Sequence, residues 1–148
     1  MAADDQLGEE VVNSPTAWVA RHIRGYVESG GQRGHIWRGA PTLLLTTRGR
    51  RSGRLRRTAL IYGTDGDRYV VVASQGGRPV HPNWYLNLVE RPEVHVQVGS
   101  ETFAARARTA GPDEKPRLWK LMTGIWPDYD SYQARTDRDI PVVVLERT

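Results

Sequence analysis

Apolar positions change period as the chain runs. Trp18, His22, Ile23, Tyr26 and Val27 recur on one side of a 3.6-residue repeat, which predicts an amphipathic helix with Arg21 and Arg24 on its other side. Ser14-Pro15 supplies an N-cap and a first-turn proline for it, and Gly30-Gly31 a stop. From residue 42 the pattern becomes that of strands. Segments 42–47 (TLLLTT) and 55–62 (LRRTALIY) flank a turn containing Gly49 and Gly53. Asp65-Gly66-Asp67 signals a hairpin ahead of 69–73 (YVVVA), whose unbroken apolar run predicts a central strand. Gly76-Gly77 ends that run, and Pro82 opens a short helix over 83–90. Val94, Val96 and Val98 alternate with polar residues as on a half-buried strand, and Gly99-Ser100 turns into a partner at 102–108. Pro112, Asp113 and Glu114 start a helix with Leu118, Leu121 and Met122 on its apolar side. A second helical stretch follows over 128–134, and 140–145 (IPVVVL) reads as a closing strand.

About six strands result, with three or four helices that do not alternate with them. The chain therefore reads as mainly β (α+β): an antiparallel barrel or sheet with flanking helices. Its 148 residues suit one domain over 14–148, preceded by a polar tail over 1–13. The opening MAADDQLGEE lacks the basic and apolar stretches of a secretory leader, and no apolar run nears the roughly 20 residues a spanning helix needs. Cysteine is absent, which suits a reducing cytosol and removes disulfides and thiolate nucleophiles. A cytoplasmic location is expected, with peripheral membrane contact through the amphipathic first helix left open. His22, His35, His81 and His95 are scattered without metal-ligand spacing, so no metal site is expected. There is no GxSxG elbow, Walker-type loop or GxGxxG fingerprint.

Charge sharpens this picture at one place. Arg48, Arg50, Arg51, Arg54, Arg56 and Arg57 lie within ten residues; taking those six from 21 basic residues leaves 15 against 17 acids. One local patch makes the protein basic, and it calls for an anion. On a strand, Arg54 and Arg56 share one face and Arg57 takes the other. Taken alone, this segment fits a solvated charged hairpin as well as it fits a phosphate or carboxylate site. A nucleic-acid surface is not expected, because no aromatic interleaves with the bases over 48–57.

Two further blocks have similar twofold readings. In 73–88 (ASQGGRPVHPNWYLNL), Gly76 and Gly77 permit close backbone approach, the helix start near Asn83 and Trp84 offers free amides, and Trp84 and Tyr85 offer flat apolar area. The same residues fit a helix-capped loop packed on a core. In 125–146, Tyr129 and Tyr132 sit at helical i, i+3 spacing beside Trp126, either as a pocket wall or as an aromatic helix packed on the barrel.

The segments LLLTTRGRRSGRLRRTALIY, VVVASQGGRPVHPNWYLNLVERPEVHVQV and WPDYDSYQARTDRDIPVVVLE together resemble the deazaflavin-dependent nitroreductase family of mycobacteria and related actinobacteria. The likeness covers most of 40–148. It implies a split β-barrel with Greek-key antiparallel strands, the coenzyme F420, and hydride transfer from its reduced form to a small organic acceptor: a quinone, an enone or a nitroaromatic. F420 has a tricyclic ring, a phosphate and a glutamate tail, so its far end is polyanionic. The resemblance assigns Arg50, Arg51, Ser52, Arg56, Arg57 and Thr58 to the phosphate and tail, and passes Ala59, Leu60 and Ile61 beside the ring. It adds Val72, Ala73, Ser74 and Gln75 as a second stretch of contacts, and Asn83, Trp84, Tyr85, Leu86 and Asn87 as the helix start that holds phosphate and ring. Tyr129 falls at the ring and acceptor pocket, with Tyr132 in the same wall. Tyr129, Tyr132 and Ser74 are the candidates for polar catalytic roles. Three positions depart from the family pattern: Gln75 and Arg51 stand where lysine is common, and Trp126 stands where a tyrosine occurs. The alternatives are an FMN-binding split-barrel oxidoreductase and an F420 carrier without turnover.

Overall fold

The computed structural model describes residues 9–148. Nine strands and four helices follow one another among them: β1 (Val11–Asn13), α1 (Ala17–Glu28), β2 (Ile36–Trp37), β3 (Ala40–Arg48), β4 (Leu55–Ile61), β5 (Gly63–Asp65), β6 (Arg68–Val72), α2 (Asn83–Glu90), β7 (Glu93–Val98), β8 (Glu101–Thr109), α3 (Lys115–Ile125), α4 (Asp128–Ala134) and β9 (Val142–Arg147). A short 3₁₀ turn spans Gln75–Gly77.

The strands run in the order β1-β4-β3-β7-β8-β9-β6-β5, with β2 pairing onto β3. All pairings are antiparallel except β1 on β4. The chain thus leaves the sheet after β4, returns at its far edge with β5 and β6, and closes between them with β7, β8 and β9. This is the split-barrel arrangement of an α+β protein.

Side-chain alternation explains why the strands look as they do in sequence. Val71, Val143 and Leu145 enter one core with Leu43, Leu45, Leu88, Val94 and Val96. Val70, Val72, Val142 and Val144 enter a second core, under α3 and α4, with Leu118, Met122 and Ile140. Strands β6 and β9 are buried on both faces, so their apolar runs are unbroken. Strand β7 alternates buried Val94 and Val96 with exposed Glu93 and His95 because only one of its faces is covered.

Helix α1 covers a third, small core of Ile23, Tyr26 and Leu44. Tyr26 Oη lies 3.0 Å from the Thr42 carbonyl and accepts the Gly99 N–H at 2.7 Å, which pins the helix to β3 and the β7–β8 turn.

Two expectations change. Residues 11–13 are a strand and not part of a tail, because they extend β4 in parallel, Val12 opposite Arg56 and Asn13 opposite Arg57; residues 1–8 of the expected tail lie outside the described ones. Trp18 does not face the core of α1. It is 52 % exposed and stacks on Trp37 at 5.8 Å, so a residue across the chain covers what the helix leaves open.

Candidate functional site

A cavity of about 710 Å³ opens where β4, the loop after β6, the start of α2 and α4 converge. Its walls bring the three separate sequence blocks into one space.

The arginine turn forms the first wall. Gly49 N–H donates to the Arg54 carbonyl at 2.7 Å and Gly53 N–H to the Gly49 carbonyl at 2.9 Å, with Gly53 at φ +71°. This tight loop projects the arginines in different directions. Arg48 turns away and pairs bidentately with Glu9, at 2.7 and 3.0 Å. Arg50 folds onto α2, donating to Asn87 Oδ1 from its backbone N–H at 3.1 Å and from Nη1 at 2.8 Å. Arg51, Ser52 and Arg56 are exposed along the cavity. Arg57 is buried beside them, with Nε donating to Asn13 Oδ1 at 3.1 Å. The expected opposite facing of Arg56 and Arg57 holds in burial, yet both border the cavity, because it continues over the β1 segment paired with them.

The second wall is the glycine loop and α2. Val72, Ser74, Gln75, Gly76, Pro82, Asn83, Trp84 and Asn87 border the cavity. The N–H groups of Asn83 and Trp84 open the helix and meet no carbonyl within it, so this end is suited to an anion. Ala73, Tyr85 and Leu86 do not border the cavity, against expectation. Ala73 is fully buried and bonds back to Pro141. On a helix, Asn83 and Asn87 share a face, which turns Tyr85 away; its hydroxyl lies 2.8 Å from Thr109 Oγ1 instead. Gln75 holds φ +46°, a costly conformation for a residue with a side chain, and braces the loop through Nε2 to the Val80 carbonyl at 3.2 Å. Gly77 meets the backbone of Tyr132 so closely that a Cβ would fall 2.5 Å from that carbonyl oxygen.

The third wall is aromatic. Tyr129 is 5 % exposed, with Tyr132 edge-on at 6.1 Å. Burial, with a smaller contribution from Tyr132, raises the Tyr129 pKa far above the ordinary phenol value. Its hydroxyl hydrogen-bonds to no described residue. Tyr132 Oη accepts from Trp126 Nε1 at 3.3 Å, and Trp126 leans on Trp37 at 5.4 Å.

Thr58, Ala59, Leu60 and Ile61 of β4 form the floor between the arginine and aromatic ends. Most of the expected residues therefore meet at one place. The cavity also uses residues the sequence reading left out: Val12 to Thr16, Trp18, Val19, His22, Trp37 and Thr42. Their signal in the sequence is the amphipathic helix that carries Trp18 and His22. No cluster of three or more potential metal ligands occurs among the described residues.

The family model for F420H(2)-dependent quinone reductases matches residues 18–147. A curated F420H(2)-dependent quinone reductase of Mycobacterium tuberculosis is 40 % identical over 143 residues, covering 88 % of this chain and 96 % of that one. Among solved structures, the F420-H2 dependent reductase FDR-A superposes with a TM-score of 0.68 at 39 % identity, over 76 % of this chain and 98 % of that one. Another, described as a domain-swapped dimer, reaches 0.70 at 36 % identity, over 90 % of this chain and all of the other. The heme storage protein HutZ of Vibrio cholerae, at 19 % identity and a TM-score of 0.56 over 72 % of this chain and 81 % of that one, shares the fold alone.

Proposed function

The chain belongs to the F420H(2)-dependent quinone reductase family, and from that premise we propose that it transfers a hydride from reduced F420 to a quinone-type acceptor within this cavity. The observation that supports this reading best is the pairing of opposite chemistries in one space. Arg51, Arg56 and the opening amides of α2 stand at one end, and Trp126, Tyr129 and Tyr132 at the other.

The residues present fit the coenzyme. A phosphate with a carboxylate tail needs several cations, and neither Arg51 nor Arg56 forms an ion pair with a described carboxylate. An elongated ligand with a flat end needs an apolar floor, which Ala59, Leu60 and Ile61 supply. Bound reduced F420 supplies the hydride, and the protein's task is orientation and electrostatics.

Reduction of a quinone also takes up a proton. As negative charge develops on an acceptor oxygen, a donor held ready lowers the barrier. Tyr129 suits that role: burial of the residue keeps its phenol protonated well past neutral pH, and the hydroxyl has no described partner competing for its hydrogen. Tyr132 Oη already accepts from Trp126, which leaves its own hydrogen free to be donated. Ser74 borders the cavity from the loop after β6 and is a third donor. Trp126 narrows the acceptor end and offers a flat face for stacking.

The test is titration of the purified protein with F420 and with FMN, followed by addition of menadione to the protein and reduced F420. The reading expects F420 binding and consumption of the reduced coenzyme upon menadione addition. Tight FMN binding without F420 binding overturns it, and F420 binding without turnover reduces the protein to a carrier.

A further inference from the structure

Arg138 lies between α4 and β9, outside the cavity lining, and spends its whole guanidinium on the neighbouring loop. Nε donates to the Arg78 carbonyl at 2.8 Å, Nη2 to the Ser74 carbonyl at 2.7 Å, and Nη1 to the Ala73 carbonyl at 3.2 Å. Nη1 also lies 2.9 Å from His81 Nδ1. A guanidinium can only donate, so His81 Nδ1 is the acceptor. These partners span 73–81, on both sides of the Gly76-Gly77 turn, and end one residue before Pro82 opens α2.

The other end of the clamp is α4. Gln133 Nε2 donates to the Arg138 carbonyl at 2.8 Å, Gln133 Oε1 accepts the Ile140 N–H at 2.9 Å, and Arg138 N–H donates to Thr136 Oγ1 at 3.3 Å. Gln133 follows Tyr132 directly on that helix. Loop and helix also touch at Gly77 and Tyr132, with no room for a Cβ between them. The loop carries Ser74 and Gln75, and the helix carries Tyr129 and Tyr132. Strands β6 and β9 pair as far as Val72 and Val142, and Ala73 N–H bonds the Pro141 carbonyl; beyond that point the Arg138 side chain, held to α4 through Gln133, carries the link between these two walls of the cavity.

We propose that Arg138 is a positioning residue for the reaction: it fixes the loop over 73–81 against α4 and so sets the spacing between the coenzyme wall and the acceptor wall. The inference rests on the proposed function for the identity of those walls. Displacement of reacting groups by as little as ~1 Å costs about a hundredfold in rate, so a rigid spacing matters. A planar fork is required, since its fixed donors reach four acceptors at once and a lysine ammonium cannot reproduce that geometry.

The experiment uses the full chain as wild type, Arg138→Ala and Arg138→Lys. Amide hydrogen exchange is first measured without coenzyme. Exchange over 74–81 should rise about tenfold or more in both variants, as expected on losing hydrogen bonds to a charged group, while β7 and β8 stay protected. With reduced F420 and menadione, kcat should fall about tenfold or more with a smaller change in the menadione KM. Added methylguanidinium should restore part of both protection and kcat in Arg138→Ala, and methylammonium neither.

Unchanged exchange over 74–81 in the lysine variant, which preserves charge and bulk, overturns the clamp whatever the kinetics show. Raised exchange with unchanged kcat overturns the positioning role. A wild type inactive with reduced F420 overturns the proposed function and with it the positioning role, while the exchange data still decide the clamp.

Discussion

Asn87 Oδ1 accepts both the backbone N–H and the Nη1 of Arg50, so one buried oxygen joins the arginine turn to α2. Asn87→Ala removes that acceptor and should cost about 1–3 kcal/mol by leaving the Arg50 donors unpaired. Asn87→Asp keeps the acceptor but adds negative charge where a phosphate is proposed to lie. The aspartate variant should therefore melt near the wild-type temperature yet bind F420 about tenfold more weakly, a difference of about 1.4 kcal/mol. Thermal denaturation and coenzyme titration separate the two.

Arg51 and Arg56 are exposed on the cavity, whereas Arg57 is buried against β1. Arg51→Ala with Arg56→Ala should shift stability by no more than about 0.5 kcal/mol per site, and should weaken F420 binding and flatten its dependence on salt. Arg57→Ala should instead lower the melting temperature. Equal coenzyme affinity in wild type and the exposed double variant, at low salt, would contradict the anion assignment.

Trp126 Nε1 donates to Tyr132 Oη from the acceptor wall. Trp126→Phe keeps a flat face but loses the donor and some volume. The menadione KM should change several-fold while the F420 dissociation constant stays within about twofold, since changes smaller than about 0.5 kcal/mol are expected away from the coenzyme contacts. Steady-state kinetics with both substrates varied tests the separation.

Gly76 and Gly77 both have positive φ, 64° and 81°, but only Gly77 abuts other backbone. Gly76→Ala should cost about 1–2 kcal/mol, the left-handed penalty alone. Gly77→Ala adds the clash with Tyr132 and should cost about 2–5 kcal/mol. Denaturant midpoints of the pair measure the difference. Similar losses would mean that the loop is not seated on α4.

Burial, opposed in part by the Gly99 N–H, raises the Tyr26 pKa to about 12. An unfolded tyrosine ionises near pH 10. The unfolded state therefore loses its proton first. The stability linked to this group is fully present below about pH 10 and declines as pH rises to about 12. Tyr129 acts in the same sense. Tyrosinate absorbance followed with circular dichroism should show these phenols ionising together with unfolding. Their ionisation in a still-folded protein would disprove the linkage.

Local structure was legible wherever its cause was local. Pro82 and the spacing around Tyr129 and Tyr132 located the helices Asn83–Glu90 and Asp128–Ala134, and Asp65-Gly66-Asp67 located a hairpin. The strands β1 and β2 were not legible. Val11–Asn13 and Ile36–Trp37 are too short to show a period, and become strands only because β4 and β3 offer edges to pair with. Trp18 departs from its pattern for a related reason: helical periodicity puts it on the apolar side of α1, but its partner Trp37 comes from another element.

The sequence by itself determined the residue types the site could draw on: a cationic turn, a glycine loop before a helix start, and a pair of phenols. Each was ambiguous alone, because neighbour rules reach about one helical turn or one strand pair. Resemblance to a family pointed to their common ligand. Tertiary structure decided which of them share a cavity. The placement of β6 and β9 across the sheet from β4 brings Arg56, Asn83 and Tyr129 around one space. The same placement gives Arg138 a loop to hold, while the β1-β4-β3 edge sends Arg48 to Glu9 and the packing of α2 on β8 sends Tyr85 to Thr109. Those outcomes depend on contacts between residues far apart in the chain, set by strand order and burial together.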